Sequence, residues 1–131
     1  MKFEIVQMTE PDLEEIFVLQ TLAFPPELVE SKAAFTVKLQ ASPTGCLAAK
    51  VDNKIVGYLF TIPWLKNLVI EVNASDLAQP GKADCLYIHD LAVDPQYRGM
   101  KLGNALVADA RKMAQENGFA WMTLVAVRGA D

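Results

Sequence analysis

The stretch from Cys85 to Glu116 does most to limit what this chain can fold into. Cys85 to Val93 is an apolar, strand-like run interrupted only by the polar pair His89-Asp90. Asp94-Pro95-Gln96-Tyr97-Arg98-Gly99-Met100-Lys101 follows, and an amphipathic helix opens near Leu102. At about 100° per residue, Leu102, Leu106, Val107, Ala110, Met113 and Ala114 fall within an arc of about 140°. Asn104, Arg111, Lys112, Gln115 and Glu116 take the other side, and Asn117-Gly118 ends the helix. A strand, a turn and a helix N-terminus gather unpaired N–H groups at one point, where the macrodipole adds positive potential. Gly99 and Gly103 leave the backbone open to close approach, and Arg98 and Lys101 bring charge to the same place. This pattern predicts a cradle for a diphosphate.

The rest of the chain sets the scale. With 131 residues, 52% hydrophobic and 21% charged, it is long and apolar enough for one folded domain, residues 1–131. A net charge of −4 argues against general nucleic-acid binding, which needs a broad basic face. Against that acidic background, residues 96–112 carry Arg98, Lys101, Arg111 and Lys112 opposite Asp109 alone. No apolar run approaches the roughly 20 residues that span a bilayer, and the N-terminus does not read as a signal peptide. One histidine and two distant cysteines, Cys46 and Cys85, argue against a metal site and for reduced, buried thiols. The expected setting is the cytoplasm, with no membrane and no nucleic-acid partner.

Along the chain, residues 2–8 read as a strand, with Thr9 as an N-cap, Pro11 in the first turn and Asp12 three residues on. A helix bearing Leu13, Ile16, Phe17 and Leu19 or Gln20 stops before Pro25-Pro26. A second helix is expected from about Glu27 to Gln40, with Leu28, Phe35 and Leu39 apolar. Cys46 to Val51 and Lys54 to Thr61 form a hairpin about Asp52-Asn53, and Pro63 is expected to prevent regular continuation. Residues 67–83 read as a long connection able to line a cleft. Phe119 to Val127, almost wholly apolar, suits a central strand covered on both faces. Trp64 and Trp121 are expected in the core. The order is βααβββαβ.

That order, with its cradle after the penultimate strand, resembles the GNAT acyltransferase superfamily. The family signature is Gln or Arg, any two residues, Gly, any residue, then Gly or Ala. It falls on Gln96-Tyr97-Arg98-Gly99-Met100-Lys101, followed by Leu102-Gly103, and Leu91-Ala92-Val93-Asp94-Pro95 and Gly57-Tyr58 also match the family's habit. Lys101 stands where Gly or Ala is usual, so its side chain either leaves sideways, within reach of phosphate, or narrows the cradle. The resemblance implies an α/β (α+β) fold with a mixed, mostly antiparallel central sheet flanked by helices. Family members usually continue past this point with another helix and two strands. The chain is expected to be C-terminally short, with another subunit supplying the missing wall or catalysis impaired.

The chemistry implied is transfer of an acetyl group from acetyl-CoA to an amine of a small molecule or peptide. The diphosphate would rest on the N–H groups of Arg98, Gly99, Met100, Lys101, Leu102, Gly103 and Asn104, with Gln96 also binding the cofactor. The pantetheine arm would lie along the main chain of Leu91, Ala92 and Val93, and an N–H near Leu91 could polarise the thioester carbonyl. A bulge at His89-Asp90 would open the strands for the thioester. The amine must lose a proton. His89 is the first candidate base, because imidazole ordinarily titrates near neutrality. Asp90 would orient it or bind an ammonium, provided a bulge puts both on one face. Tyr87 shares His89's parity and is the fallback. A structural, hydrogen-bonded His89-Asp90 pair is the competing reading. Tyr97 reads as packing, and Glu27 and Glu30 either bind a cationic amine or face solvent.

Two other functions compete with catalysis. One is a non-catalytic CoA-binding or interaction module on the same fold. The other is a different nucleotide-binding α/β protein, although the turn lacks the spacing of a dinucleotide fingerprint and the Gly-Lys-Ser/Thr of a P-loop. A homodimer would cover the edge left by the last strand. The acceptor's identity is not legible.

Overall fold

Asp52 and Asn53 both take positive φ, 49° and 67°, closing a two-residue turn whose twist matches that of the strands it joins. This turn connects β2 (Cys46–Val51) to β3 (Lys54–Trp64) in a computed structural model that describes residues 2–65, 70, 74, 77 and 83–124. The remaining elements are β1 (Glu4–Gln7), α1 (Leu13–Ala23), α2 (Lys32–Ala41), β4 (Cys85–Val93), α3 (Leu102–Glu116) and β5 (Trp121–Leu124). The expected order βααβββαβ is what the chain adopts. The five strands lie in sequence order, antiparallel except that β5 runs parallel to β4.

Helices cover both faces. On one, Leu13, Ile16 and Leu19 of α1 and Phe35 of α2 pack on Tyr58, Phe60 and Ala92. On the other, Leu102, Leu106, Ala110 and Ala114 of α3 meet Leu47, Ala49, Leu59 and Leu86, the stripe that the helical spacing predicts. Gly118, at φ 75°, stops α3, and the N–H of Phe119 returns to the Ala114 carbonyl at 2.9 Å. No described helix is long and apolar enough to cross a membrane.

Four expectations are corrected. The second helix does not run from Glu27 to Gln40. A 3-10 turn at Pro26–Leu28 is followed by extended Val29, and α2 begins only after Ser31, whose hydroxyl accepts from the Ala34 N–H at 3.1 Å. A serine N-cap defines a start that periodicity alone cannot resolve. Second, β3 continues through Pro63 to Trp64. The Thr61 N–H points to the Gly45 carbonyl on the β2 side, so Pro63, two residues on, turns its nitrogen the same way. The β2 ladder ends at Phe60, and the missing N–H leaves no ladder bond unmade. Third, β5 is the last strand of the sheet among the described residues, not a central one. Fourth, Trp64 is buried as expected, but Trp121 is 53% exposed. Of the expected connection at 67–83, most lies outside the described residues, as do residues 125–127 of the expected last strand. Ile70 and Leu77 pack with Trp64, Cys85 and Tyr87.

Candidate functional site

Asp94 builds the turn after β4. Its N–H donates to the Val56 carbonyl at 2.8 Å, and its carbonyl accepts from the Tyr97 N–H at 2.8 Å. Its carboxylate accepts from the Gln96 N–H at 2.9 Å. The chain then passes through Gly99 at φ 94° and Lys101 at φ 60° before α3 begins. The first bond closing this end of the helix is from the Ala105 N–H to the Lys101 carbonyl, 3.1 Å, and no side chain caps it. Among the described residues, the amides from Arg98 to Asn104 meet no internal acceptor, and for Lys101 to Asn104 the geometry of a helix start requires this.

These amides line a groove of about 190 Å³ with Val93, Tyr97, Arg98, Gly99, Lys101, Leu102, Gly103 and Asn104 at its walls. A Cβ on Gly103 would meet only Val93, at 4.0 Å, and one on Gly99 would meet nothing within 4 Å. The groove floor is therefore backbone that a ligand can touch. Arg98 and Lys101 are exposed beside it. The Gln96 N–H is held by Asp94, which leaves its exposed side chain for a ligand. Met100 packs against the α3-side core, and Leu102 is buried there, which leaves the Leu102 main chain to the groove.

Among the described residues, the strand leading into this turn has one edge unpaired beyond Ile88. Because Asp94 bonds β3 through its main chain, alternation turns the main chain of Ala92 to β3 as well, and that of Leu91 and Val93 away. The β5 ladder reaches only Cys85 to Ile88 within the described residues. Leu91 and Val93 thus present N–H and C=O groups beside the groove, whereas Ala92 does not, its side chain being buried under α1.

Between the two halves of β4 lies a bulge. Phe60 pairs with Asp90 while Thr61 pairs with Ile88, leaving His89 as the extra residue. His89 and Asp90 consequently face the same side of the sheet. Asp90 accepts a 2.8 Å hydrogen bond from the Tyr58 hydroxyl. His89 Nε2 lies 3.2 Å from both carboxylate oxygens of Glu30. Tyr87 is buried, with its ring centroid 6.2 Å from that of His89.

Glu30 does not face solvent: it is 2% exposed and also pairs with the Lys38 ammonium at 2.9 Å. Burial raises its carboxyl, but the His89 hydrogen bond and the attraction of His89 and Lys38 outweigh that and hold it at about 2. Burial lifts Asp90 to about 6 against the Tyr58 hydrogen bond, and burial followed by the Asp90 charge pushes Tyr58 well up. Glu27, by contrast, is exposed. Lys38 escaped sequence reasoning, although it signals itself by lying on the apolar side of its helix three residues after Phe35, and Gln20, placed on the apolar side of the first helix, was given no role there. Chemically, the bulge gathers an imidazole, two carboxylates, a phenol and an ammonium on the α1–α2 face of the sheet, a few residues before the amide-lined turn.

The profile of the Acetyltransferase (GNAT) family matches residues 11–129. The uncharacterized N-acetyltransferase YkwB of Bacillus subtilis (strain 168) is 27% identical over 124 residues, covering 81% of this chain and 54% of that protein, so the chain spans about half its relative's length. Among solved structures, the loading GNATL domain of CurA from Lyngbya majuscula superposes with a TM-score of 0.80 at 16% identity, over 97% of this chain and 66% of that one. The PaiA N-acetyltransferase of Thermoplasma acidophilum, solved with coenzyme A, gives 0.74 at 17% identity, over 100% of this chain and 83% of that one. These structural likenesses carry the fold alone. With the family profile spanning most of its length, the chain belongs to the acetyltransferase (GNAT) family.

Proposed function

We propose that the chain transfers an acetyl group from acetyl-CoA to an amine of a small molecule or peptide. The observation that carries this is the run of unpaired amides from Arg98 to Asn104 beside the open main-chain edge of Leu91 and Val93. A diphosphate fits the first and an extended amide-bearing arm the second. Acetyl-CoA supplies the activated thioester. Arg98 and Lys101 add charge that draws the diphosphate, and Gly99 and Gly103 keep the floor open. The Leu91 N–H is the donor for developing charge on the acyl oxygen. His89 takes the proton released as the amine nitrogen attacks, with Asp90 alongside and Tyr87 as the alternative group.

The proposal includes a cytoplasmic setting, supported by Cys46 and Cys85 both being unpaired thiols. It also includes a homodimer whose second copy covers the β5 side. A free-thiol release assay with acetyl-CoA and an amine panel tests the transfer. Calorimetric binding of CoA without turnover on any amine would favour the non-catalytic CoA-binding module, and absence of CoA binding would remove both readings. Sedimentation tests the dimer.

A further inference from the structure

Lys38 is wholly buried, and its only carboxylate partner in the described residues is Glu30 at 2.9 Å. Its Nζ also lies 3.4 Å from the Ala34 carbonyl and 5.8 and 5.9 Å from the Phe35 and Phe60 ring centroids. An isolated buried ion pair gives little net stability over apolar packing, so its presence here calls for another account. The second partner of Glu30 supplies one. Both carboxylate oxygens stand 3.2 Å from His89 Nε2, and an ionised carboxylate can only accept. Nε2 must therefore carry the hydrogen. No hydrogen bond falls on His89 Nδ1 among the described residues.

Glu30 is not free to swing away. The Gln20 side chain, itself buried, accepts from the Glu30 N–H at 3.0 Å and donates to the Glu30 carbonyl at 3.2 Å. A glutamine on α1 thus clamps the backbone, a lysine on α2 holds the carboxylate ionised, and the carboxylate sets the ring on β4. We infer that Gln20, Lys38 and Glu30 are positioning residues that fix His89 as the Nε2–H tautomer and leave Nδ1 as its basic nitrogen. This rests on the proposed acetyl transfer for its use. There, the amine lone pair bonds to the acyl carbon, the acyl C–S bond breaks with its electron pair leaving on the CoA thiolate, the amine proton passes to Nδ1, and the Nε2–H bond stays intact. The groups facing His89 are Glu30 before α2, Lys38 on α2, Tyr87 and Asp90 on β4, and Tyr58 on β3 through Asp90. Removing the Lys38 cation leaves the carboxylate to favour the imidazolium, and removing the carboxylate as well cancels that.

The chain contains one histidine, so nitrogen NMR of the full-length protein reads its tautomer and titration with no catalysis required. The expected neutral form has Nε2 protonated and Nδ1 bare. Lys38→Met should move the titration midpoint up by on the order of one pH unit, and Glu30→Gln/Lys38→Met should bring it back down relative to the single variant. The acidic limb of kcat should follow the same order while KM for acetyl-CoA stays within about twofold. A neutral ring protonated at Nδ1, or midpoints that coincide in the two variants, would overturn the inference. The wild-type tautomer decides the matter if either variant fails to fold. The expected tautomer in a protein that transfers nothing would uphold it and count instead against the proposed activity.

Discussion

His89 and Asp90 are neighbours in sequence and project from the same face of β4, because one residue is inserted where Phe60 pairs with Asp90 and Thr61 with Ile88. Regular strand geometry would set them on opposite faces. The insertion instead delivers two titratable groups into a region bounded by α1, α2 and β3. Tyr58 and Glu30 already hold them there.

The Tyr58–Asp90 bond should matter more as pH rises. Asp90 has a folded pKa of about 6, above its ordinary 3.8. Its ionisation therefore destabilises the fold progressively as pH climbs through that window. The Tyr58 hydroxyl offsets part of this. Tyr58→Phe is expected to lower stability by about 1 kcal/mol more at pH 8 than at pH 5. Urea unfolding at the two pH values checks it, and equal losses would contradict the assignment.

Glu30 titrates in the opposite sense. Its folded pKa of about 2 lies below the ordinary 4.5, so the stabilisation is complete above 4.5 and vanishes as pH falls through 2. A shift of that size corresponds to about 3 kcal/mol. The Glu30→Gln/Lys38→Met protein should show a correspondingly flatter loss of stability between pH 5 and 2. Acid titration followed by circular dichroism measures the difference in slope.

Lys101 occupies a conformation that glycine would adopt more readily, φ 60°. Lys101→Gly should leave the ligand-free fold as stable as wild type or up to about 1 kcal/mol more so. CoA affinity should nevertheless fall severalfold, with the gap narrowing at high salt. Gly103→Glu should weaken CoA more than tenfold with little change in melting temperature, since its Cβ has open space. Calorimetry and thermal melts, run together, separate the two effects. Unchanged affinity in both variants would remove the cradle.

Gly45 is needed for close approach rather than for a special φ. A Cβ there would stand 2.3 Å from the Ser42 hydroxyl oxygen, 2.6 Å from that of Thr61 and 2.7 Å from the Thr61 carbonyl. Gly45→Ala should destabilise by about 2 kcal/mol, readable as a lower urea midpoint with an unchanged slope. CoA affinity of the folded protein should not change.

Much of the strand–turn–helix from Cys85 to Glu116 was legible because its information is local. A glycine with positive φ, an aspartate turn and an apolar stripe at helical spacing act on residues only a few places apart. The same holds for the β2–β3 turn and for most of the strands. The expectations that failed concern neighbours. Whether Pro63 ends a strand depends on what lies beside its nitrogen, and whether Trp121 is buried depends on what covers β5. Neither can be read from the residues themselves.

From the order of residues alone came the strand–turn–helix with its unpaired amides, since backbone geometry and short-range sterics settle it. The Gln20–Glu30–Lys38–His89 array needed the folded molecule, because its members come from three separated segments and are brought together by helix packing and a one-residue slip in strand pairing. A buried charge gains its meaning from the partner across the core, and sequence spacing carries no record of that distance.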